Sequence, residues 1–157
     1  MVPLGAGLAV VLDPLRRGRG GGKSEPVRVT TLDAVPEDGT PRQFPVIADR
    51  IDAWNRFPNE PIGAVYLRRL EEGKVQALSA ICPHLGCFVG YDADRKLYQC
   101  PCHTSVFDLD GKRGEPCVAL RGMDELEAEV VDNGGRPDVV VRYQEFFTGI
   151  RDKKPKV

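Results

Sequence analysis

Two short segments of this chain hold nearly all of its metal-seeking side chains. Cys82-Pro83-His84-Leu85-Gly86-Cys87 and Cys100-Pro101-Cys102-His103 contain both histidines and four of the five cysteines of the 157-residue sequence. Twelve residues separate Cys87 from Cys100. Thiolate sulfur and imidazole nitrogen are donors for zinc, copper and iron, so this concentration marks a site. Three chemistries can be weighed from the residues alone. Structural zinc accepts Cys and His tetrahedrally, but its ligand pairs are usually two to four residues apart, and Cys82-x-His84 is tighter. Two plain disulfides of a secreted domain leave both histidines unexplained. A thioredoxin-like redox motif needs Cys-x-x-Cys opening a helix in a βαβ setting, and Cys100-x-Cys102 does not fit it.

Loops of this kind need rigid elements to face them toward each other, and the rest of the chain reads as strands. Gly (17) and Pro (13) make up 30 of 157 residues, above the ordinary share of about 12%. Such punctuation favours strands and loops over long helices. Val27–Thr31 and Phe44–Ala48 are predicted strands, joined by a turn-rich stretch from Asp33 to Pro41. Ala64–Leu70 and Lys74–Leu78 flank Glu71-Glu72-Gly73, a hairpin signature. Leu97–Gln99 and Ser105–Phe107 are short strands bracketing the second Cys/His segment. Leu126–Val131 and Val139–Tyr143 form a second hairpin around Asn133-Gly134-Gly135-Arg136-Pro137. Ile51 to Pro61, with aromatic residues between prolines, reads as a packed loop. The expected fold class is all-β, an antiparallel sandwich or open barrel. With 22 basic and 23 acidic residues the formal charge is −1, which argues against a nucleic-acid partner.

The two ends stand apart from this domain. Met1 to Leu12 is an uninterrupted apolar run, too short to cross a bilayer by itself. It lacks the basic leader and small-residue cleavage site of a signal peptide. Residues 1–23 read as the last turns of a membrane anchor followed by a flexible tether, Gly18 to Lys23. Residues 24–150 are then the folded domain, and 151–157 a solvated basic tail.

The spacing Cys82-x-His84, fifteen residues, Cys100-x-x-His103 resembles the Rieske iron–sulfur family. The resemblance runs from about Val27 to Gly149 and implies a Rieske-like sandwich with an inserted cluster-binding subdomain, about residues 80–118. It implies one [2Fe–2S] cluster, with Cys82 and Cys100 on one iron and His84 and His103 on the other. Imidazoles in place of thiolates lower the negative charge on such a cluster. Potentials then run from about −150 to +300 mV, against about −400 mV for all-cysteine plant-type clusters. Cys87 and Cys102 match the extra cysteine of each loop in subunits of quinol-oxidising cytochrome complexes, where the pair forms a disulfide. A disulfide in turn implies an oxidising compartment. Gly86 belongs to the same first-loop pattern. Ser105 matches a serine that hydrogen-bonds a bridging sulfide. Phe107 stands where many members carry a tyrosine that bonds a ligand sulfur. Fewer bonds to sulfur stabilise the reduced cluster less, which suits a low-potential quinol such as menaquinol. Gly114-Glu115-Pro116 resembles the proline loop that covers the cluster, with Pro116 as its proline. Pro83 stands where threonine is more usual, and Thr104 where glycine is common. Cys117 reads as a small buried hydrophobe.

The resemblance implies that His84 and His103 turn a second ring nitrogen outward. There they take a proton from quinol while the iron takes the electron, and Leu85 offers an apolar surface to the quinone ring. The implied partners are a cytochrome b-type membrane subunit, a c-type cytochrome and quinol. The implied location is the periplasmic side of the membrane. Arg16, Arg17 and Arg19 after the apolar run point the other way by the positive-inside rule. Export of folded domains by a twin-arginine route reconciles the two. A second functional reading is the small Rieske subunit of an arsenite oxidase-type molybdoenzyme. A third is a zinc-stabilised binding module without redox chemistry.

Overall fold

The computed structural model describes residues 25–51 and 54–156. The expectations for the anchor and tether, residues 1–23, lie outside the described residues. Among the described residues there is no α-helix; ten strands form three antiparallel sheets. In the first, β1 (Val27–Thr31) pairs with β10 (Pro137–Val141), which pairs with β9 (Ala128–Asp132). The second has the order β2 (Arg42–Ile51), β3 (Arg56–Arg69), β4 (Val75–Ser79), β8 (Glu125–Leu126). The third is small: β5 (Gly90–Asp92), β6 (Leu97–Gln99) and β7 (Val106–Phe107), inserted in the chain between β4 and β8. The all-β architecture with an inserted Cys/His-bearing subsheet is therefore observed.

Side chains alternate across a strand, and in β3 both faces are buried. Val65 and Leu67 point into a core with Val35, Val46, Ala77, Val139 and Val141. Ala64 and Tyr66 point the other way, into a core with Leu78, Ala80, Cys82, Tyr98, Cys100 and Phe107. The run Ala64-Val65-Tyr66-Leu67 is apolar throughout because β3 is the wall shared by the two cores. That wall fixes the small sheet, and with it the cysteines, to the larger body.

Three strand readings need correction. The reading of Ile51 to Pro61 as a packed loop is not met over the described residues 54–61. Trp54 is 93% exposed, and β3 already begins at Arg56, pairing with β2 as a two-stranded ribbon. The ribbon is held by charge: Arg50 Nε lies 2.8 Å from Glu60 Oε2, and the Arg50 guanidinium lies 4.5 Å from the centre of the Phe57 ring. Proline is tolerated there because a ribbon leaves one strand edge unpaired, and Asn59 at φ 55° marks the irregularity. Leu126 to Val131 is not one strand. Leu126 pairs with Ala77 in the second sheet, whereas Ala128 onward pairs with β10 in the first. β5 carried no clear alternation and escaped the sequence reading. The tail residues 151–156 are exposed. They are nonetheless paired: the Phe147 N–H donates to Lys154 O (2.9 Å), and Lys156 N–H to Glu145 O (2.8 Å).

Gly63 tests the packing. A Cβ placed there would lie 1.9 Å from the Tyr143 hydroxyl oxygen, and Tyr143 is itself buried. Gly63→Ala must displace that ring, at a cost of about 1–3 kcal/mol for overpacking. The expected outcome is a melting temperature lower by several degrees in calorimetry. An unchanged melting temperature would show that Tyr143 has room to move.

Candidate metal centre

Each Cys/His segment is closed by its own backbone. In the first, Cys82 N–H donates to Cys87 O (2.7 Å) and Gly86 N–H to Cys82 O (3.0 Å). Gly86 sits at φ +84°, a left-handed conformation that glycine adopts without Cβ strain. In the second, Cys100 N–H donates to Ser105 O (2.8 Å). Thr104 takes a left-handed φ of 47° there, which is the physical reason glycine is favoured at such a position. The loops face each other and are joined by a disulfide between Cys87 and Cys102, with Cα atoms 6.6 Å apart.

The four candidate ligands belong to these loops, one Cys and one His to each. Cys82 and Cys100 are free and buried. The imidazoles of His84 and His103 lie 5.0 Å apart, centre to centre, nearly perpendicular. His84 is half-buried and His103 exposed. His84 Nδ1 is buried and has no hydrogen-bond partner. A buried polar atom without a partner is costly, and a bound metal ion would satisfy it. Burial pushes the Cys82 thiol up to about 11; the neighbouring Cys100 adds to this and the His84 backbone N–H opposes it. A thiol so hard to ionise alone becomes a thiolate when a cation displaces its proton. The donor set of two thiols and two imidazoles therefore fits an iron–sulfur cluster of mixed ligation. The sulfurs of Cys87, Cys100 and Cys102 also lie within 4.8 Å of one another. Two of them are consumed by the disulfide, so of those three only Cys100 can bind metal.

The other residues singled out fall around this centre in different ways. Ser105 is fully buried, and its Oγ accepts from Ala119 N–H (3.2 Å). That use of a lone pair leaves the hydroxyl proton for another acceptor. Phe107 is fully buried in the same core as Cys82 and Cys100 and pairs with Tyr98; it offers no donor. Pro116 is exposed and its carbonyl accepts from Val106 N–H (3.1 Å), which holds its loop to β7. Leu85 is 61% exposed beside His84. Cys117 is half-buried rather than buried, packed against the core that holds Cys82 and Cys100, and its thiol lies 3.9 Å from Ala119 O. Sequence reasoning missed one contributor, the segment 147–150. Gly149 N–H donates to Pro83 O (2.9 Å), inside the first loop. No local signal announces a contact across 66 residues.

The fold and the two joined loops define a Rieske [2Fe–2S] domain, and that family matches residues 25–128. The chain belongs to the Rieske family, its cofactor is a [2Fe–2S] cluster, and its chemistry is Rieske-type electron transfer. It is 31% identical over 124 residues to the menaquinol:cytochrome c reductase iron-sulfur subunit of Bacillus subtilis, covering 77% of this chain and 70% of that one. It is 33% identical over 130 residues to the cytochrome b6-f complex iron-sulfur subunit of Microcystis aeruginosa, covering 78% and 65%. Among solved structures, the plasma membrane Rieske protein PetC3 of Synechocystis shares the fold with a TM-score of 0.50 and 23% identity, over 74% of this chain and 99% of that one. Among the described residues no helix is long and apolar enough to cross a membrane.

Proposed function

We propose that this chain is the Rieske subunit of a quinol–cytochrome c reductase-type complex. In this reading Cys82, Cys100, His84 and His103 hold the cluster. The observation that carries it is the half-exposed histidine pair, with buried Nδ1 of His84 turned to no protein partner. A ring bound to metal through one nitrogen has its other nitrogen left to exchange a proton. Bound there, the cluster supplies a one-electron acceptor. His84 and His103 then hold and release the accompanying proton at their outer nitrogens. Leu85, exposed beside them, gives the quinone ring an apolar surface. With the cluster bound, the Ser105 hydroxyl would be free to donate to it, Gly86 lets the first loop turn, Pro116 would shield the site, and Phe107 would supply no donor. The last feature lowers the potential and favours menaquinol as the donor. The domain sits on the periplasmic side, held by the segment 1–23, with a cytochrome b-type subunit and a c-type cytochrome as partners. The Cys87–Cys102 disulfide supports an oxidising compartment, and the names of the Bacillus and Microcystis relatives support the quinol-oxidising setting.

Purifying the tagged full chain from its native membranes tests the assignment. The expected preparation contains haem b and reduces cytochrome c with a menaquinol analogue. A preparation that contains molybdenum and no haem b would replace this reading with the arsenite oxidase type.

A further inference from the structure

Arg121 is the most heavily bonded side chain near the centre, and the cluster reading gives it no role. Its side chain is 10% exposed and paired with Asp124, whose side chain is 7% exposed. Nε donates to Asp124 Oδ1 (2.9 Å) and Nη2 to Asp124 Oδ2 (2.8 Å). The outer edge of the same guanidinium reaches a different part of the chain. Nη1 donates to Ile150 O (2.7 Å) and Nη2 to Phe147 O (3.0 Å). The two carbonyls bracket Thr148 and Gly149, so the fork clasps one turn of the C-terminal segment. That turn lies on the first cluster loop. Gly149 N–H donates to Pro83 O (2.9 Å), between Cys82 and His84. A Cβ on Gly149 would lie 3.6 Å from His84 O, and one on Gly86 would lie 3.9 Å from Thr148 Cγ2. Gly149 itself is at φ +74°, which lets the turn present its N–H to the loop. Asp124 is anchored in turn, since its carbonyl accepts from Ser79 N–H at the end of β4 (2.8 Å).

We infer that Arg121 is a positioning residue for His84. The buried Arg121–Asp124 pair fastens the 147–150 strap to the second sheet, and the strap fastens Pro83 and therefore the backbone of His84. Lysine does not substitute, because a single ammonium cannot present the planar fork that serves a carboxylate and two carbonyls together. The strap also covers the flank of the first loop. Its loosening admits water beside His84, and water stabilises the more negative reduced state. Loss of the fork thus raises the reduction potential and speeds cluster loss. The inference rests on the proposal that His84 is a ligand.

The test uses the full chain with its cluster, as Arg121→Lys and as Arg121→Met/Asp124→Leu. The second variant removes both buried charges together and leaves no lone carboxylate. Three quantities are read: hydrogen exchange at the Gly149 amide, the rate of iron release to a chelator, and the reduction potential. In R121K, exchange at Gly149 should rise at least tenfold, iron release at least threefold, and the potential should move upward. The double variant should show the same changes, larger. Wild-type values of all three in R121K overturn the inference. So does a freed Gly149 amide with unchanged iron release and potential. Iron content of the wild-type protein separates the two claims. Fewer than two irons per chain would sink the ligand reading, whereas the variant comparison judges only the role of Arg121.

Discussion

Replacing His103 by cysteine is expected to lower the reduction potential by on the order of 100 mV or more. The cause is charge. A neutral imidazole gives way to a thiolate, so both oxidation states carry one more negative charge, and adding an electron becomes harder. The whole difference between mixed and all-cysteine ligation spans several hundred millivolts for two histidines, and one substitution forfeits a share of it. His103 is the right residue to change because it is exposed, so cysteine fits without disturbing the core. Its ring lies 5.0 Å from that of His84, the other ligand in the proposed set. Protein-film voltammetry reads the result directly. An unchanged potential in a variant that still holds two irons would remove His103 from the ligand set.

Removing the loop tie is the second large effect. In the variant Cys87→Ser/Cys102→Ser the expected loss of stability is about 3 kcal/mol, the entropy of closing a loop of about fifteen residues. The cysteines are 15 residues apart in sequence. For a domain of this size that corresponds to a melting temperature lower by roughly 10 °C. The electron paramagnetic resonance signal should survive, because neither cysteine is a ligand, while iron is lost to a chelator several times faster. The double substitution is needed because a lone sulfur left at either position stands within 4.8 Å of Cys100 Sγ and could enter the ligand set. Cluster lifetime and melting temperature equal to those of the native protein would show that the loops hold without the tie.

Much of this was legible in the residues, for identifiable reasons. Metal donors are rare and their spacing is informative, so the two loops stood out against an ordinary composition. Val27–Thr31, Leu97–Gln99 and the two hairpins were readable because short runs of β-branched and aromatic residues were bounded by turn signals. The Cys87–Cys102 pairing came from the family resemblance and is present in the structure; geometry alone would have left several pairings open. What was hidden was long-range. Arg121 and Gly149 look like loop residues until the fold brings residue 149 onto residue 83. The ribbon from Arg56 was hidden because its prolines signal a loop, whereas an unpaired edge accepts them. The break at Glu127 was hidden because strand character is local but the choice of sheet is not. The shared wall of β3 explains a run of four buried apolar residues that reads like a simple strand.

The most direct test of the account is a potentiometric titration of the purified protein from pH 6 to 10, followed by electron paramagnetic resonance with iron counted in the same sample. Two irons per chain and a reduced-state signal averaging well below the free-electron value are expected. So is a potential between about −150 and +300 mV that falls with rising pH, by up to about 59 mV per unit for each proton taken up with the electron. A colourless zinc protein, or a potential near −400 mV that ignores pH, would contradict the account.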